Sequence, residues 1–328
     1  MKNRALGTTG YEVSEVGFGG WGLGAKMWRG VEDSEGRDAL RAAVAEGLTF
    51  FDTALAYGDG HSERLIGQVL REEISDGRAV VATKVPPLNQ QWPGHESSSI
   101  AEVFPAKHLS ACTEQSLRNL DADVLAVQQL HVWHDSWLDD PEWQASYERM
   151  VRLKEEGKVL HWGISINDHA PATALRALAD PIFETAQVIY NIYDRSPEEA
   201  LFDLAMAKPL GVIVRVPFDE GALTGRIRSD TVFPAGDWRE QYFQGNRRAE
   251  AEQRAEALAQ LLDDQVETLP ELALRFVLSA PQVSTVIPGM RRAEHVRFNA
   301  ATSGKGPLAP DMLSRLEAHA WDKNWYPA

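Results

Sequence analysis

The 328-residue sequence contains a single cysteine, Cys112, so no disulfide can form within the chain and no cysteine-rich metal site is available. It also lacks an uninterrupted apolar run near the roughly 20 residues that a membrane-spanning helix needs. Its first seven residues carry charge but no following apolar stretch, unlike a secretory signal. These absences predict a cytoplasmic protein with no membrane partner.

Positive charge is also scarce in this sequence. The 33 Lys and Arg residues face 48 Asp and Glu residues, which leaves a formal net charge of −15. A field of that sign repels nucleic acid, so nucleic acid is excluded as an expected partner. Because 44% of the residues are hydrophobic and 25% are charged, the composition is that of an ordinary globular protein rather than a disordered one.

Eight short apolar runs recur along the chain, and most are rich in valine and isoleucine on both faces, as strands buried on both sides are. They cover residues 13–19, 48–52, 79–85, 124–131, 160–165, 185–191, 211–217 and 283–288. Helical patterns separate them at residues 34–45, 62–71, 109–120, 143–156, 171–178 and 197–207. This alternation predicts an α/β fold, a closed (β/α)8 TIM barrel formed as a single domain by residues 1–328.

Three additions to the barrel are expected. Gly7 and Gly10 flank two threonines and predict an N-terminal β-hairpin that caps the barrel. Long loops follow strand 3, at residues 86–107, and strand 7, at residues 218–246. Both loops lie at the C-terminal face, where barrel enzymes have their sites.

The segment from Gly17 to Gly22 matches the dinucleotide-binding pattern G-x-G-x-x-G. That motif requires a helix to begin within it, and here no helix can start before about Ser34. The only suitable acidic residue, Asp52, also lies too far along the chain. We therefore interpret the segment as a glycine-rich loop that lets a ligand approach.

Four polar residues follow strands 2, 3 and 4: Asp52 and Tyr57, Lys84, and His131. A barrel brings these strand ends side by side. A tyrosine has a pKa near 10, and an adjacent lysine is expected to lower it. Asp52 would hold the lysine charged, and His131 could donate a hydrogen bond to a substrate oxygen. The set suits proton transfer to a carbonyl oxygen. Each residue also has a simpler structural explanation. Asp52 and Lys84 could form an ordinary ion pair, His131 could be a structural histidine at a strand end, and Tyr57 could be a loop aromatic.

The sequence resembles the aldo-keto reductase superfamily over nearly its whole length, from Leu6 to Asn299. The most specific segment is Phe51-Asp52-Thr53-Ala54 followed by Tyr57-Gly58, Gly60 and Ser62-Glu63. The resemblance implies a (β/α)8 barrel that binds NAD(P)H without a Rossmann domain. It also implies a catalytic tetrad of Asp52, Tyr57, Lys84 and His131, with Tyr57 as general acid.

The resemblance further implies cofactor-binding residues along the C-terminal half of the chain. Ser165, Asn167 and Gln187 match positions that hold the nicotinamide carboxamide, and Arg215 stands where an aromatic residue often stacks on the ring. The expected pyrophosphate segment and adenosine phosphate turn comprise Pro217, Gly221, Leu223, Gly225, Arg226, Gly289, Arg291, Arg292, His295 and Asn299. Two adjacent arginines before a helix suit a dianionic phosphate, which favours NADPH, with NADH as the alternative cofactor.

The pocket for a small-molecule carbonyl substrate is expected to be lined by Trp21, Trp133 and Trp92, with Trp28, His134 and Tyr193 as further candidates. No spacing of ligands indicates a metal. The sequence therefore predicts an NADPH-dependent reductase of an aldehyde or ketone, such as a sugar or natural-product intermediate, acting as a monomer or weak homo-oligomer. The alternatives are an NADPH-binding regulatory or sensor subunit with slow turnover, and a Schiff-base aldolase that uses Lys84.

Overall fold

A computed structural model describes residues 1–24 and 32–326 of the chain. It contains ten strands, labelled β1 to β10: Asn3–Ala5, Glu12–Ser14, Phe18–Gly19, Phe50–Asp52, Val80–Val85, Leu125–Leu130, Val159–Ser165, Phe183–Ile189, Gly211–Arg215 and Val283–Val286. Trp28, one of the expected pocket residues, lies outside the described residues.

Strands β3 to β10 form one parallel sheet in chain order. Parallel bridges from Val16 to Val286 and from Gly19 to Gly289 join the first and last strands. The amide of Gly17 donates to the carbonyl of Val286 at 2.8 Å. The sheet thus curls round to meet itself, and the expected (β/α)8 architecture is confirmed.

The N-terminal hairpin closes the lower end of this barrel, as expected. Strands β1 and β2 pair antiparallel, and Leu6, in the turn between them, is fully buried. It packs with Phe50, Val127 and Ile213 in a core cluster that is separate from the larger cluster between sheet and helices. At Gly7, with a φ of 57°, a Cβ would lie only 2.2 Å from the Gly211 nitrogen, so only glycine fits this approach.

Helices alternate with the barrel strands. Labelled α1 to α13, they cover Asp33–Ala45, His61–Val69, Arg71–Ser75, Ile100–Val103, Ala106–Leu120, Trp143–Glu155, Leu175–Leu178, Leu201–Ala207, Arg239–Tyr242, Arg247–Ala259, Leu269–Ser279, Ala293–Lys305 and Pro310–Glu317. Short 3₁₀ segments occur at Trp21–Gly24, Asp135–Asp139, Pro171–Ala174, Ser196–Glu198 and Asp219–Thr224.

Two sequence boundaries are corrected. The run at residues 13–19 is not one strand, because its first part belongs to the hairpin strand β2 and only Phe18–Gly19 enters the barrel. The run at residues 211–217 ends early, at Arg215, because Val216 has a φ of 56°, which no strand accommodates. The two long loops contain short helices, α4 after β5 and α9 after β9.

Candidate active site

The four polar residues identified at strand ends meet at the C-terminal mouth of the barrel. Asp52 ends β4, Lys84 lies near the end of β5, and His131 directly follows β6. In the parallel sheet, Asp52 is level with Ala82, and Lys84 is level with Gln129. The side chains therefore converge because neighbouring parallel strands end at the same edge.

Tyr57 reaches this group through a tight loop after β4. A Cβ at Gly58 would lie 2.2 Å from the carbonyl oxygen of Gly24, so this close approach between the two loops needs glycine. Below the loop, the hydroxyl of Thr53 donates to Ser62, which in turn donates to the carbonyl of Gly20. These contacts explain the small and hydroxylated residues around Tyr57 in the sequence.

Lys84 is the centre of the site. Its Nζ donates to both carboxylate oxygens of Asp52 at 2.7 Å and to the carbonyl of Thr53 at 2.8 Å. It also lies 3.4 Å from the Tyr57 hydroxyl. The lysine side chain is fully buried and Asp52 is nearly so. An amine held charged by this many acceptors is not a free nucleophile, so the geometry disfavours the Schiff-base alternative.

The electrostatics of the site correct one expectation. Burial raises the pKa of Tyr57 well above its usual value, and the charge of Asp52 raises it further. The expectation of a lowered pKa is wrong for the site as it stands, because burial of the hydroxyl and the charge of Asp52 outweigh the stabilisation of the phenolate by Lys84. Tyr57 is therefore protonated across the physiological range.

Asp52 and Lys84 shape each other's titration. Burial raises the pKa of Asp52 and lowers that of Lys84, and their mutual contact opposes both shifts. Burial also lowers the pKa of His131 well below its usual value, helped by the nearby charges of Lys84 and Arg215. His131 is thus a neutral imidazole, which can donate one N–H to an oxygen in the mouth.

Aromatic rings line the mouth above these residues. The ring of Tyr57 lies 5.7 Å from His131, and Trp92 packs edge-on against His131 at 4.7 Å. Trp21 lies 6.5 Å from Tyr57 on the other side. Two of the three tryptophans expected at the pocket are therefore beside the polar group.

The third expected tryptophan, Trp133, is not in this wall. Its side chain is fully buried and packs against Trp137, Trp143 and Phe183 in the outer core. The interpretation of Trp133 as a pocket residue is corrected, because its ring is fully buried among core side chains and its Nε1–H already donates to Asp135. Tyr193 is also buried, against Trp321, and does not line the mouth.

The residues expected to hold a nicotinamide carboxamide lie on neighbouring strand ends. Ser165 and Gln187 are paired between β7 and β8, and both are buried. Gln187 also donates to Asp52 at 2.7 Å. Asn167 differs from expectation, because both of its amide protons already donate to the carbonyls of Gly94 and Trp133. Asn167 anchors the long loop after β5 and has no proton left for a ligand.

Arg215 lies at the end of β9 with its guanidinium inside the mouth. One terminal nitrogen donates to Asp168 at 2.7 Å and to the carbonyl of Ile166 at 2.9 Å. The buried Nε has no hydrogen-bond partner. Arg215 is therefore fixed in place, and its Nε–H remains without a partner.

The segment after β9 has an irregular backbone. Asp219 and Glu220 have φ of 48° and 56°, and Gly221 has 108°. Pro217 and Leu223 are buried, Gly225 ends the segment with a φ of 69°, and Arg226 is exposed. Burial raises the pKa of Glu220 to about 7, while a hydrogen bond from Tyr326 opposes the rise.

The turn expected at an adenosine phosphate joins the first βα loop. A Cβ at Gly22 would lie 2.5 Å from the Arg291 side chain, so this arginine lies across the glycine-rich segment. Arg292 is the N-cap residue of α12 and contacts Glu35 at 3.1 Å. Of the other expected residues, Asn299 is buried, His295 is partly exposed and Gly289 is exposed.

Sequence reasoning missed two residues at the mouth, Trp238 and Tyr326. Trp238 lies 5.1 Å from Trp21 and stacks on Tyr326 at 5.8 Å, and Tyr326 in turn donates to Glu220. Trp238 lies in a loop that was flagged by its length. Nothing in the sequence signals Tyr326, which is brought here from the C-terminal region.

Within residues 1–24 and 32–326, no group of three His, Cys, Asp or Glu side chains is arranged to hold a metal ion. None of the helices in that part of the chain is long and apolar enough to cross a membrane.

The fold and the site together define a class of protein. The model of the aldo/keto reductase family matches residues 15–320. The chain therefore belongs to the aldo/keto reductase family, whose members are nicotinamide-dependent oxidoreductases, and the resemblance stated from the sequence is confirmed.

Three similar proteins illustrate this membership. The aldo-keto reductase YhdN of Bacillus subtilis (strain 168) is 28% identical over 298 residues, covering 89% of this chain and 86% of the relative. The NADH-specific methylglyoxal reductase of Escherichia coli (strain K12) is 27% identical over 332 residues, covering 97% of this chain and 100% of that relative. The holo structure of aldo-keto reductase AKR11C1 from Bacillus halodurans has a TM-score of 0.74 and 26% identity, covering 98% and 96% of the two chains.

Proposed function

We propose that this chain reduces an aldehyde or ketone to an alcohol with NADPH, and that Tyr57 donates the proton. The observation that carries this proposal is the Tyr57 hydroxyl lying 3.4 Å from Lys84, whose charge is fixed by Asp52 at 2.7 Å. A protonated phenol beside a fixed ammonium is a donor that can leave its proton as a stabilised phenolate.

The mouth fits a nicotinamide cofactor on two observations. The buried Nε of Arg215 has no partner and is available to a ligand. The N-terminus of α12, a helix of 13 residues, carries Arg291 and Arg292 beside its free amides, which suits a phosphate. When bound, a nicotinamide cofactor supplies the hydride that attacks the carbonyl carbon. Arg215, Ser165 and Gln187 would hold its ring end, and the α12 turn its adenosine end.

The chain's own residues handle the oxygen of the substrate. His131, neutral because it is buried, donates a hydrogen bond that orients the carbonyl and stabilises developing negative charge. Tyr57 then transfers its proton to that oxygen. Lys84 stabilises the resulting phenolate. Asp52 holds Lys84 in position and itself accepts a hydrogen bond from Gln187. The return of a proton from solvent to Tyr57 completes the cycle.

The preference for NADPH over NADH is supported by the two arginines of the α12 turn. An adenosine 2′-phosphate carries two negative charges, and paired guanidinium groups bind such a group far better than they bind a hydroxyl. One similar protein is named as an NADH-specific reductase, so the opposite preference occurs among the relatives of this chain. The contact of Arg292 with Glu35 is exposed, so exchanging it for a phosphate costs little.

The substrate side is supported by the rings of Trp21, Trp92 and Trp238. These rings suit a small aldehyde or ketone with an apolar or sugar-like body. Arg215 and Asp168 add one polar edge. We propose a small-molecule carbonyl compound as substrate on these grounds.

The test is oxidation of NADPH by the purified chain across aldehydes, ketones and sugars, with NADH in parallel and Tyr57→Phe as the matched control. The proposal predicts turnover that prefers NADPH and falls by at least about a hundredfold in Tyr57→Phe. Tight NADPH binding without any reduction would favour the sensor alternative, and a Tyr57→Phe variant as fast as the wild type would refute the role of Tyr57.

A further inference from the structure

The last described residues, from Trp321 to Tyr326, follow α13 without forming a helix or strand. They cross the mouth next to the segment after β9. The Trp321 amide donates to the carbonyl of Tyr193 at 2.9 Å, which fixes where this tail begins. The family model ends at residue 320, so the tail lies beyond the part of the chain that it matches.

Two tail side chains donate hydrogen bonds to consecutive residues of the segment after β9. Lys323 donates to Asp219 at 2.8 Å, and both side chains are almost completely buried. Tyr326 donates to Glu220 at 2.5 Å. We call Lys323 and Tyr326 the tail clamp. The Lys323 amine also donates to the hydroxyl of Tyr242, and it lies over the rings of Trp321 and Trp325 within the tail.

The segment needs such support because its backbone is strained. Asp219 and Glu220 are not glycines, yet both have left-handed φ values, and the β-branched Val216 just before them has one too. Residues in these regions of φ persist only when the surrounding structure holds them there. The tail clamp supplies that hold at two of the three strained positions.

The clamped segment starts immediately after Arg215 and forms one side of the mouth. Tyr326 is stacked on Trp238, which contacts Trp21 near Tyr57. On its other side the Tyr326 ring lies 5.6 Å from His169. The tail therefore touches the segment and the wall of the mouth at once.

We propose that Lys323 and Tyr326 are positioning residues that hold residues 216–225 in the conformation that binds the nicotinamide cofactor, so that the tail sets cofactor affinity. This inference rests on the proposed function, in which that segment lies against the cofactor. Neither clamp residue takes part in the proton transfer, because neither touches the Asp52, Tyr57, Lys84 and His131 group.

The test compares Lys323→Met and Tyr326→Phe with the wild type and with Arg254→Met. Arg254 lies over the Trp321 ring at 4.0 Å, so its loss removes one contact of the tail and leaves the hydrogen bonds to Asp219 and Glu220 in place. Three quantities are measured: the Kd and dissociation rate of NADPH by stopped-flow fluorescence, hydrogen exchange of residues 216–225 without cofactor, and kcat at saturating NADPH.

The proposal predicts faster exchange of residues 216–225 and a Kd for NADPH raised about tenfold or more in Lys323→Met, through faster dissociation. Tyr326→Phe shows the same pattern to a smaller extent, and Arg254→Met behaves as the wild type. In Lys323→Met and Arg254→Met, kcat at saturating NADPH stays within about threefold of the wild-type value. Tyr326→Phe, which removes one oxygen, keeps the test informative if Lys323→Met folds poorly.

Two results separate failure of this proposal from failure of the proposed function. Wild-type binding of NADPH, with unchanged Kd and unchanged exchange in both clamp variants, would overturn the clamp alone. A wild-type chain that binds neither NADPH nor NADH would overturn the proposed function and the clamp with it.

Discussion

The two sides of the barrel mouth are built in different ways. On one side, Asp52, Tyr57, Lys84 and His131 come from the ends of neighbouring strands and one short loop. On the other side, Asp219 and Glu220 are held by residues 104 and 106 positions away in sequence. The first side depends on regular barrel geometry, whereas the second depends on long-range contacts to a strained segment.

The two sides also differ in how well hydrogen bonds stabilise their buried charged groups. Lys84 is fully satisfied by three acceptors, so the proton-transfer side holds its charge firmly. Among the residues that the structure describes, Glu220 accepts a side-chain hydrogen bond only from the Tyr326 hydroxyl, and burial together with the charge of Asp219 disfavours its ionisation. We infer that the first side is fixed for chemistry and that the second can respond to its surroundings.

The largest expected effect lies on the proton-transfer side. Lys84→Met leaves Asp52 buried without its partner, which costs about 3–5 kcal/mol of unfolding free energy. Turnover falls by at least about a hundredfold because the phenolate of Tyr57 loses its stabilising charge. Denaturant unfolding and steady-state kinetics check both values. The double variant Lys84→Met with Asp52→Asn should recover much of the stability and none of the activity. If the double variant were as unstable as Lys84→Met alone, this account would be contradicted.

A second substitution sharpens the boundary between the mouth and the outer core. Trp133→Ala removes a fully buried ring and is expected to cost about 3–5 kcal/mol of stability. Trp92→Ala, with a ring that is 39% exposed beside His131, should cost far less stability but raise the KM for the carbonyl substrate. If Trp133→Ala raised the KM for the carbonyl substrate and left the stability unchanged, Trp133 would line the pocket after all.

The clamped side should show its own pH dependence. Burial raises the pKa of Glu220 from 4.5 to about 7, so the folded chain holds this proton more tightly than the unfolded chain. Stability from this group is therefore full below about pH 4.5 and is lost as the pH rises to about 7. At about 1.4 kcal/mol per pKa unit, the loss is about 3 kcal/mol.

The measurement is urea unfolding of the wild type and Glu220→Gln from pH 4.5 to 8. The difference in free energy of unfolding between the two proteins should change over this range, because the wild type loses stability as the pH rises and Glu220→Gln does not lose that contribution. The other titrating groups are the same in both proteins. If the difference in free energy of unfolding between the two stayed constant with pH, the pKa of Glu220 would not be raised in the folded chain.

The smallest expected effect concerns cofactor choice. Arg292→Ala should weaken NADPH binding about tenfold, since one charge-assisted contact to the phosphate is lost. NADH binding should hardly change. Isothermal titration with both cofactors measures this, and equal weakening of the two would show that Arg292 does not distinguish them.

The same contrast explains what could be read from the sequence. The barrel, the hairpin cap and the convergence of Asp52, Tyr57, Lys84 and His131 follow from strand-length apolar runs and from parallel topology, which are local signals. The sequence predicts Trp133 in the pocket although the structure buries it in the core. The reason is that a residue two positions beyond a strand-end histidine can turn either toward the mouth or toward the helices. Tyr326 and Lys323 could not be foreseen, because no local pattern shows where an irregular tail packs.

The most direct test of the central claim is a single-turnover experiment with wild type and Tyr57→Phe, each preloaded with saturating NADPH and mixed with a carbonyl substrate. The account predicts the same NADPH affinity in both proteins and a reduction step slowed at least about a hundredfold in the variant. If the two proteins reduced the substrate at the same rate, Tyr57 would not be the proton donor and the account of this site would be wrong.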